Sequence, residues 1–426
     1  MPEIAPPQSP ATAAARPYRR YSTGDVLRGL WRILVAVKDA LALLFLLLFF
    51  VLLLAALRGR PNPAASFEQG ALLLRLDGTI TEQPTPIDPL AAINGAPRFH
   101  EYRRDDLVRA LDAAASDDRV KAVVLDLDGF LGGGQVAIGD VAEAVGRVRT
   151  HKPVFAYATA YTDDCYQLAS RASEVWVADE GGVMLAGPGG SRLYYKGLMD
   201  RLGITANIYR VGTFKSAVEP YLRADQSPEA REAEQAYAAV LWTQWQDQVA
   251  KARPAAHVQA YLADLPAAVR AANEDLSAAA KSAGLVDRIG SRQQFDRRLA
   301  QVVGTSDSQR PWKYKRIRLD TWLSANPRSE GSQSIAIIPV VGEIVDGEAP
   351  PGTAGGDSIS KQILDAVADP AIKAIVLRVD SPGGSVIAAE RIRTALLEAK
   401  SRRLPIIVSM GNVAASGGYW IATPSD

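Results

Sequence analysis

Cysteine is nearly absent from this chain. Cys165 is alone among 426 residues, which excludes an intrachain disulfide and any multi-cysteine metal site. Histidine is scarce as well. His100, His151 and His257 have no neighbour at metal-ligand spacing, and none lies in a glycine-rich or strand-end context. Surface or packing roles account for all three, so a serine hydrolase built from this chain needs a base other than histidine. An excess of either charge is lacking too. Lys and Arg number 48 against 47 Asp and Glu, a formal net charge of +1, and no electrostatic case for nucleic acid exists. What the chain does have is length for two or three domains and 48% hydrophobic residues.

One hydrophobic run stands apart. Residues 1–17 are rich in Pro and Ala and read as a disordered tail. Arg19, Arg20, Arg28, Arg32 and Lys38 then precede the uncharged run Ala40–Leu57, which meets the length needed to cross a bilayer. Basic residues concentrated before the run place the N-terminus in the cytoplasm and everything after Arg60 on the far side, the periplasm of a Gram-negative cell. A cleaved signal peptide is disfavoured, because the apolar region is long and Leu-Arg-Gly-Arg follows it without a small-x-small site.

The remainder contains one unit twice. Asp117–Gly132 matches Asp369–Gly384, and Lys121/Lys373, Asp128/Asp380, Gly132/Gly384 and Pro153/Pro405 are each 252 residues apart. Upstream, Ala71–Ile80 matches Ile335–Ile344 as a strand ending in Gly-x-Ile. Apolar runs such as Ala122–Leu127 and Ala374–Val379 suit parallel strands covered on both faces. Ile138, Val141, Val145 and Val148, and in the second copy Ile392, Leu396 and Ala399, recur at helical spacing. The fold class that follows is α/β, built of βαβ units with right-handed crossovers.

Chemistry gathers at two glycine turns of the second copy. Ser381-Pro382-Gly383-Gly384 follows a strand, where α/β sheets place ligands and glycines expose amides. Ser416 lies in Asn412-Val-Ala-Ala-Ser-Gly-Gly-Tyr-Trp420 after the buried strand Leu404–Met410. Small neighbours admit a substrate backbone, and a tight turn frees N–H groups to face an oxyanion. Aligning Tyr166 with Tyr419 puts Asp163 opposite Ser416, so the first copy has lost the serine and its glycines. Cys165 lacks a basic neighbour and reads as a structural thiol. The first copy carries Gly212-Thr-Phe-Lys-Ser-Ala-Val-Glu-Pro220, in which Lys215 has no acid within three positions. An amine in an apolar site loses hydration and becomes an unprotonated base at neutral pH. Farther on, Ser227-Pro228-Glu229 opens a helix whose Tyr237, Leu241, Trp245 and Val249 form a packing stripe. Leu276–Gly290 reads as a helix stopped at Gly284 and a short strand. Lys313-Tyr314-Lys315-Arg316 reads as a solvated strand face.

These residues together resemble the long form of the signal peptide peptidase A family (peptidase family S49), membrane-bound Ser/Lys peptidases of the ClpP/crotonase-like superfamily. The motifs that carry it are Asp380–Gly384, Ala414–Trp420, Gly212–Pro220 and Gly284-Leu-Val-Asp287, together with the anchor and the repeat. The resemblance implies tandem ClpP/crotonase-like domains after one transmembrane helix. It implies Ser416 as nucleophile and Lys215 as general base, shared between copies, with the amides of Gly417 and of Gly383 or Gly384 as oxyanion hole. It also implies apolar, signal-peptide-like substrates, a homotetramer at the inner membrane and no cofactor or metal. The expected organisation is a basic tail 1–38, an anchor 39–58, a first repeat 66–304, a linker 305–333 and a second repeat 334–426. Family members continue past the point matching Asp426, so the second repeat reads as truncated, leaving strands and apolar surface around Ser416 uncovered. Two other readings stand beside this one, a catalytically incomplete membrane scaffold and a crotonase-like acyl-CoA enzyme. Ala-Ala-Ser-Gly-Gly and a far-side location argue against CoA.

Overall fold

Residues 23–58, 67–86, 100–327 and 334–426 are described in the computed structural model. They belong to two units, Met1–Asn62 and Pro63–Asp426. The expected tail 1–38 is helical from Thr23 onward, because Leu30, Ile33, Leu34 and Val37 already belong to the apolar helix; its residues 1–22, with Arg19 and Arg20, lie outside the described residues. In the first unit Thr23–Arg58 is one helix. Its stretch Leu30–Leu54 has a mean hydropathy of 2.6 over 25 residues and none of it is buried. At about 1.5 Å rise per residue this is longer than the roughly 30 Å hydrocarbon layer. The span begins ten residues before the uncharged run and so includes Arg32, Lys38 and Asp39, the last two paired at 2.9 Å.

The second unit is α/β, and its paired strands all run parallel. The first eight are β1 (Gly70–Arg75), β2 (Gly78–Thr81), β3 (His100–Arg103), β4 (Val120–Asp126), β5 (Val154–Tyr161), β6 (Glu174–Val183), β7 (Arg288–Ile289) and β8 (Arg316–Arg318). Six of them form a sheet in the order β7-β6-β5-β4-β1-β8. The remainder are β9 (Ser334–Val341), β10 (Ile344–Val345), β11 (Ala354–Gly355), β12 (Ile372–Ser381) and β13 (Ile406–Ala414). Here the order is β13-β12-β9, with β2–β3 and β10–β11 as separate small pairs. The sequence β5-β4-β1 thus recurs as β13-β12-β9. Registers recur as well: Val123 faces Val154 and Ile375 faces Ile406. The helices Arg104–Ser116 and Gln135–Arg149 have counterparts in Gly356–Ala368 and Val386–Ser401.

Parallel strands need cover on both faces. In the larger sheet, Leu72, Leu74, Val123 and Leu125 pack on Leu107, Leu111, Ile138, Val141 and Val145. The opposite face, with Leu73, Val124, Phe155, Tyr157 and Trp176, is closed by Phe295 and Leu299 of the helix Arg292–Val303. In the smaller sheet Ile375, Leu377 and Val379 pack on Ile359, Ile363, Ile392 and Leu396. Its other face is only partly covered, and Ile335, Ile337 and Ile407 remain 56–65% exposed.

The segment expected as a linker is largely structural. β8 adds to the edge of the larger sheet beside β1, Tyr314 is buried, and Trp322 is wholly buried with its indole N–H donating to Ala110 O at 2.9 Å. A polar average concealed two anchoring aromatics. In the helix Pro228–Ala252, capped by Ser227 as expected, Trp245 and Val249 are buried, whereas Tyr237 is exposed. The stripe packs only along its C-terminal half.

Where the smaller sheet meets the first half of the unit, an ion cluster is buried. Arg378 of β12 donates to Glu82 at 2.5 Å and to Ser409 Oγ at 2.8 Å. Arg104 bridges Glu82 and Asp140, each at 3.1 Å. Removing one member of such a cluster strands a buried charge. Arg378→Ala is expected to cost about 3 kcal/mol, read as a fall in the denaturation midpoint. Adding Glu82→Ala is expected to cost less than the sum of the two single changes.

Candidate active site

β13 ends in a strained turn. Ser416 has φ 51° and ψ −120°, a region that L-residues avoid and that is concentrated at functional sites. It is exposed at the N-terminal edge of the short helix Gly417–Trp420. That helix is held against the helix Val386–Ser401 through Trp420. Trp420 Nε1 donates to Glu390 at 2.8 Å, and the Arg393 guanidinium lies over the Trp420 ring. Gly418 is buried so closely that a methyl there would come 2.6 Å from Ser381 O.

The second glycine turn comes up against the first. Gly383, at φ 93°, has no room for a side chain: a Cβ would lie 2.6 Å from Gly417 N and 2.8 Å from Ser416 Cβ. The two turns therefore bring three candidate amides together. The Gly383 N–H is already donated to the buried Ser381 Oγ at 3.1 Å. The amides of Gly384 and Gly417 donate to no group among the described residues. Of the three expected oxyanion donors, these two are available, and Ser381 spends Gly383 on shaping the turn.

Lys215 is placed differently from expectation. It is exposed, in a loop where Tyr209, Val211 and Phe214 are 95%, 92% and 56% exposed. Its apolar sequence neighbours point outward and do not enclose the amine. No hydrogen bond joins Lys215 to Ser416 among the described residues.

In the first half, Asp164, next to the Asp163 aligned with Ser416, is the acid at the glycine loop. Asp164 Oδ2 accepts the Gly133 N–H at 3.1 Å, and a Cβ on Gly132 would fall 2.6 Å from it. Gly132 holds the place of Gly383: its carbonyl accepts Ile80 N–H as the Gly383 carbonyl accepts Ile344 N–H. A carboxylate of the chain itself thus engages the Gly133 amide, whose counterpart in the second half is the unengaged amide of Gly384. Burial raises the Asp164 pKa, opposed by the Gly133 and Gly134 amides. Asp163 instead accepts from the Ala186 and Gly187 amides, both at 3.2 Å.

Sequence reasoning did not single out Asn412 or assign a role to Asp380. Asp380 Oδ1 accepts the Val413 N–H at 2.9 Å and Oδ2 accepts from Asn412 at 3.3 Å. Both residues stand inside the motifs, but nothing in the motifs pairs them.

With this geometry in view, the relatives can be placed. The family model of peptidase family S49 matches residues 147–306. Protease 4 of Salmonella typhi is 37% identical over 412 residues, covering 93% of this chain and 65% of that protein. Protease 4 of Haemophilus influenzae is 36% identical, covering 94% and 67%. The chloroplastic serine protease SPPA of Arabidopsis thaliana is 26% identical, covering 72% and 45%. The chain belongs to peptidase family S49. It spans about two thirds of the length of the protease 4 proteins it matches. Among solved structures, an enoyl-CoA hydratase/isomerase family protein of Silicibacter pomeroyi covers 45% of this chain and 88% of its own at 18% identity. Its TM-score of 0.18 carries no argument.

Cys165 is buried, with Sγ 3.9 Å from Leu127 O, and burial pushes its thiol pKa far up. Thiolate is the reactive form. N-Ethylmaleimide at pH 8 is expected to modify Cys165 in the folded chain at least about tenfold more slowly than in denaturant. Equal rates would contradict the structural role.

Proposed function

We propose that the chain is a membrane-anchored serine endopeptidase that uses Ser416 as nucleophile and Lys215 as general base. The observation that carries the reading is the strained, exposed Ser416 beside the unengaged amides of Gly384 and Gly417. In the proposed reaction, Ser416 Oγ attacks a peptide carbonyl while Lys215 accepts its proton. The two amides receive the developing oxyanion. Collapse of the tetrahedral intermediate breaks the C–N bond, and Lys215 returns the proton to the leaving amine. Water, deprotonated by Lys215, then cleaves the acyl-serine ester and frees the enzyme. Substrates are apolar peptides, with cleaved signal peptides as the proposed class. Small residues flanking Ser416 favour close approach of an extended chain.

Lys215 stands exposed and makes no hydrogen bond to Ser416 among the described residues. We therefore place the completed dyad in an assembly of copies, with a homotetramer as the proposed state, in which the exposed Tyr209, Val211 and Phe214 are covered. Basic residues before the apolar helix support a cytoplasmic N-terminus, an inner-membrane anchor and a periplasmic catalytic part. The tandem-repeat organisation, with one half supplying serine and the other lysine, belongs to the same proposal. The exposed Lys215 favours a second reading, a catalytically incomplete scaffold.

Ser416→Ala and Lys215→Ala are each expected to lower peptide hydrolysis by about a thousandfold or more, with the fold retained. A fluorophosphonate should form an adduct at Ser416 of the wild-type chain. Near-full activity of Lys215→Ala would remove the lysine from the mechanism, and no adduct would favour the scaffold. Mixing the two variants separates the arrangements: recovered activity means that copies share the dyad, and none means that it forms within one copy. Alkaline phosphatase fused after Asp426 is expected to be active, as it is only on the far side of the membrane, and an inactive fusion would reverse the topology.

A further inference from the structure

The route by which β13 reaches Ser416 is irregular. Its ladder with β12 pairs Val379 with Met410 and next pairs Ser381 with Ala414. Between these pairs β13 carries Gly411, Asn412 and Val413 against Asp380 alone, a bulge that ordinary ladder bonds do not fix. The bulge is held by other means, and most of them run through one side chain.

Asn412 Oδ1 accepts the N–H groups of Val136 at 3.0 Å and Ala137 at 3.2 Å. These are amides of the first turn of the helix Gln135–Arg149, in the other half of the unit. That helix begins at Gly134, which offers no side chain to cap it. Its counterpart Val386–Ser401 is capped by its own Ser385, whose Oγ accepts the Ala388 N–H at 3.3 Å. Asn412 Nδ2 donates to Gly133 O at 3.0 Å and to Asp380 at 3.3 Å. Both acceptor and both donor positions of the amide are thus in use. The fit leaves no slack, since a Cβ on Gly134 would lie 2.4 Å from Asn412 Cγ.

We propose that Asn412 is the positioning residue for Ser416, and that the first half's glycine loop is the socket that receives it. The inference rests on the reading of Ser416 as nucleophile. Asn412 fixes the bulge against the helix N-terminus and against Asp380, which in turn holds the Val413 N–H. Ser416, three residues beyond Val413, is thereby aimed at the amides of Gly384 and Gly417. The first half contributes to the serine through Gly133, Gly134, Val136 and Ala137, independently of Lys215.

The test uses the full chain in detergent and measures the rate of fluorophosphonate labelling at Ser416, together with kcat, KM and Tm. Asn412→Ala is expected to lower labelling rate and kcat by about a hundredfold, with KM within about twofold of wild type. Gly134→Ala, in the other half, should produce the same kcat-centred defect, because its methyl displaces Asn412. The double variant should fall no more than about threefold below the poorer single variant, since both changes break one contact. Asn412→Asp keeps the two acceptor contacts and replaces donation to Gly133 O and Asp380 with repulsion. It provides a folded variant if Asn412→Ala does not fold, and slow labelling is expected of it. Lower Tm with unchanged labelling and kcat per folded molecule, in Asn412→Asp and Gly134→Ala alike, would reduce Asn412 to a helix cap and overturn the proposal. Absence of an adduct on wild-type Ser416 would overturn the nucleophile reading, and this inference with it.

Discussion

The constraint on which this unit depends is that parallel strands must be covered on two faces. The larger sheet meets it within its own half. The smaller sheet meets it on one face with its own helices. Toward the C-terminal ends of its strands, the other face is met by the first half. There the cover is polar: Arg378 reaches Glu82, and Asn412 reaches the helix beginning at Gln135. These are the strand ends that lead into Ser381–Gly384 and Ser416. The two glycine turns therefore sit where the halves touch, and the bulge before Ser416 is held by residues from both.

The charges at this contact tie Glu82, Arg104, Asp140 and Arg378 of β12 into one cluster. A buried ion cluster contributes little net stability compared with apolar packing, but it tolerates few geometries. Arg378 is bound on one side by Glu82 and on the other by Ser409 and the Met410 carbonyl. That arrangement fixes β13 against β12 up to the last regular pair before the bulge. Asn412 and Asp380 take over from there.

Much of the fold was legible because repeated apolar runs specify repeated strands. The offset of 252 residues is reproduced in strand register, and Ile138, Val141, Ile392 and Leu396 are all buried. The exposed half of the 228–252 helix and the anchoring role of Trp322 were not legible, since periodicity gives a face and not its partner. The exposure of Lys215 was not legible for a related reason: apolar neighbours along the chain desolvate an amine only where the loop folds over it. Which of Asp163 and Asp164 reaches the glycine loop was not legible, because apolar patterning does not separate two adjacent acids at the start of a helix. Asn412 was invisible because its partners lie some 275 residues away, and no local signal names them.

The filled amides of the first half leave it little freedom of its own. Gly133 N–H is held by Asp164, and Val136 and Ala137 N–H are held by Asn412. A serine placed at position 164 would release one amide while the neighbouring two stayed committed to the other half. Freeing those as well would remove two of the bonds that hold the bulge before Ser416. The glycine loop of the first half therefore works as a fixed mount for its neighbour, and the two halves cannot be altered independently there.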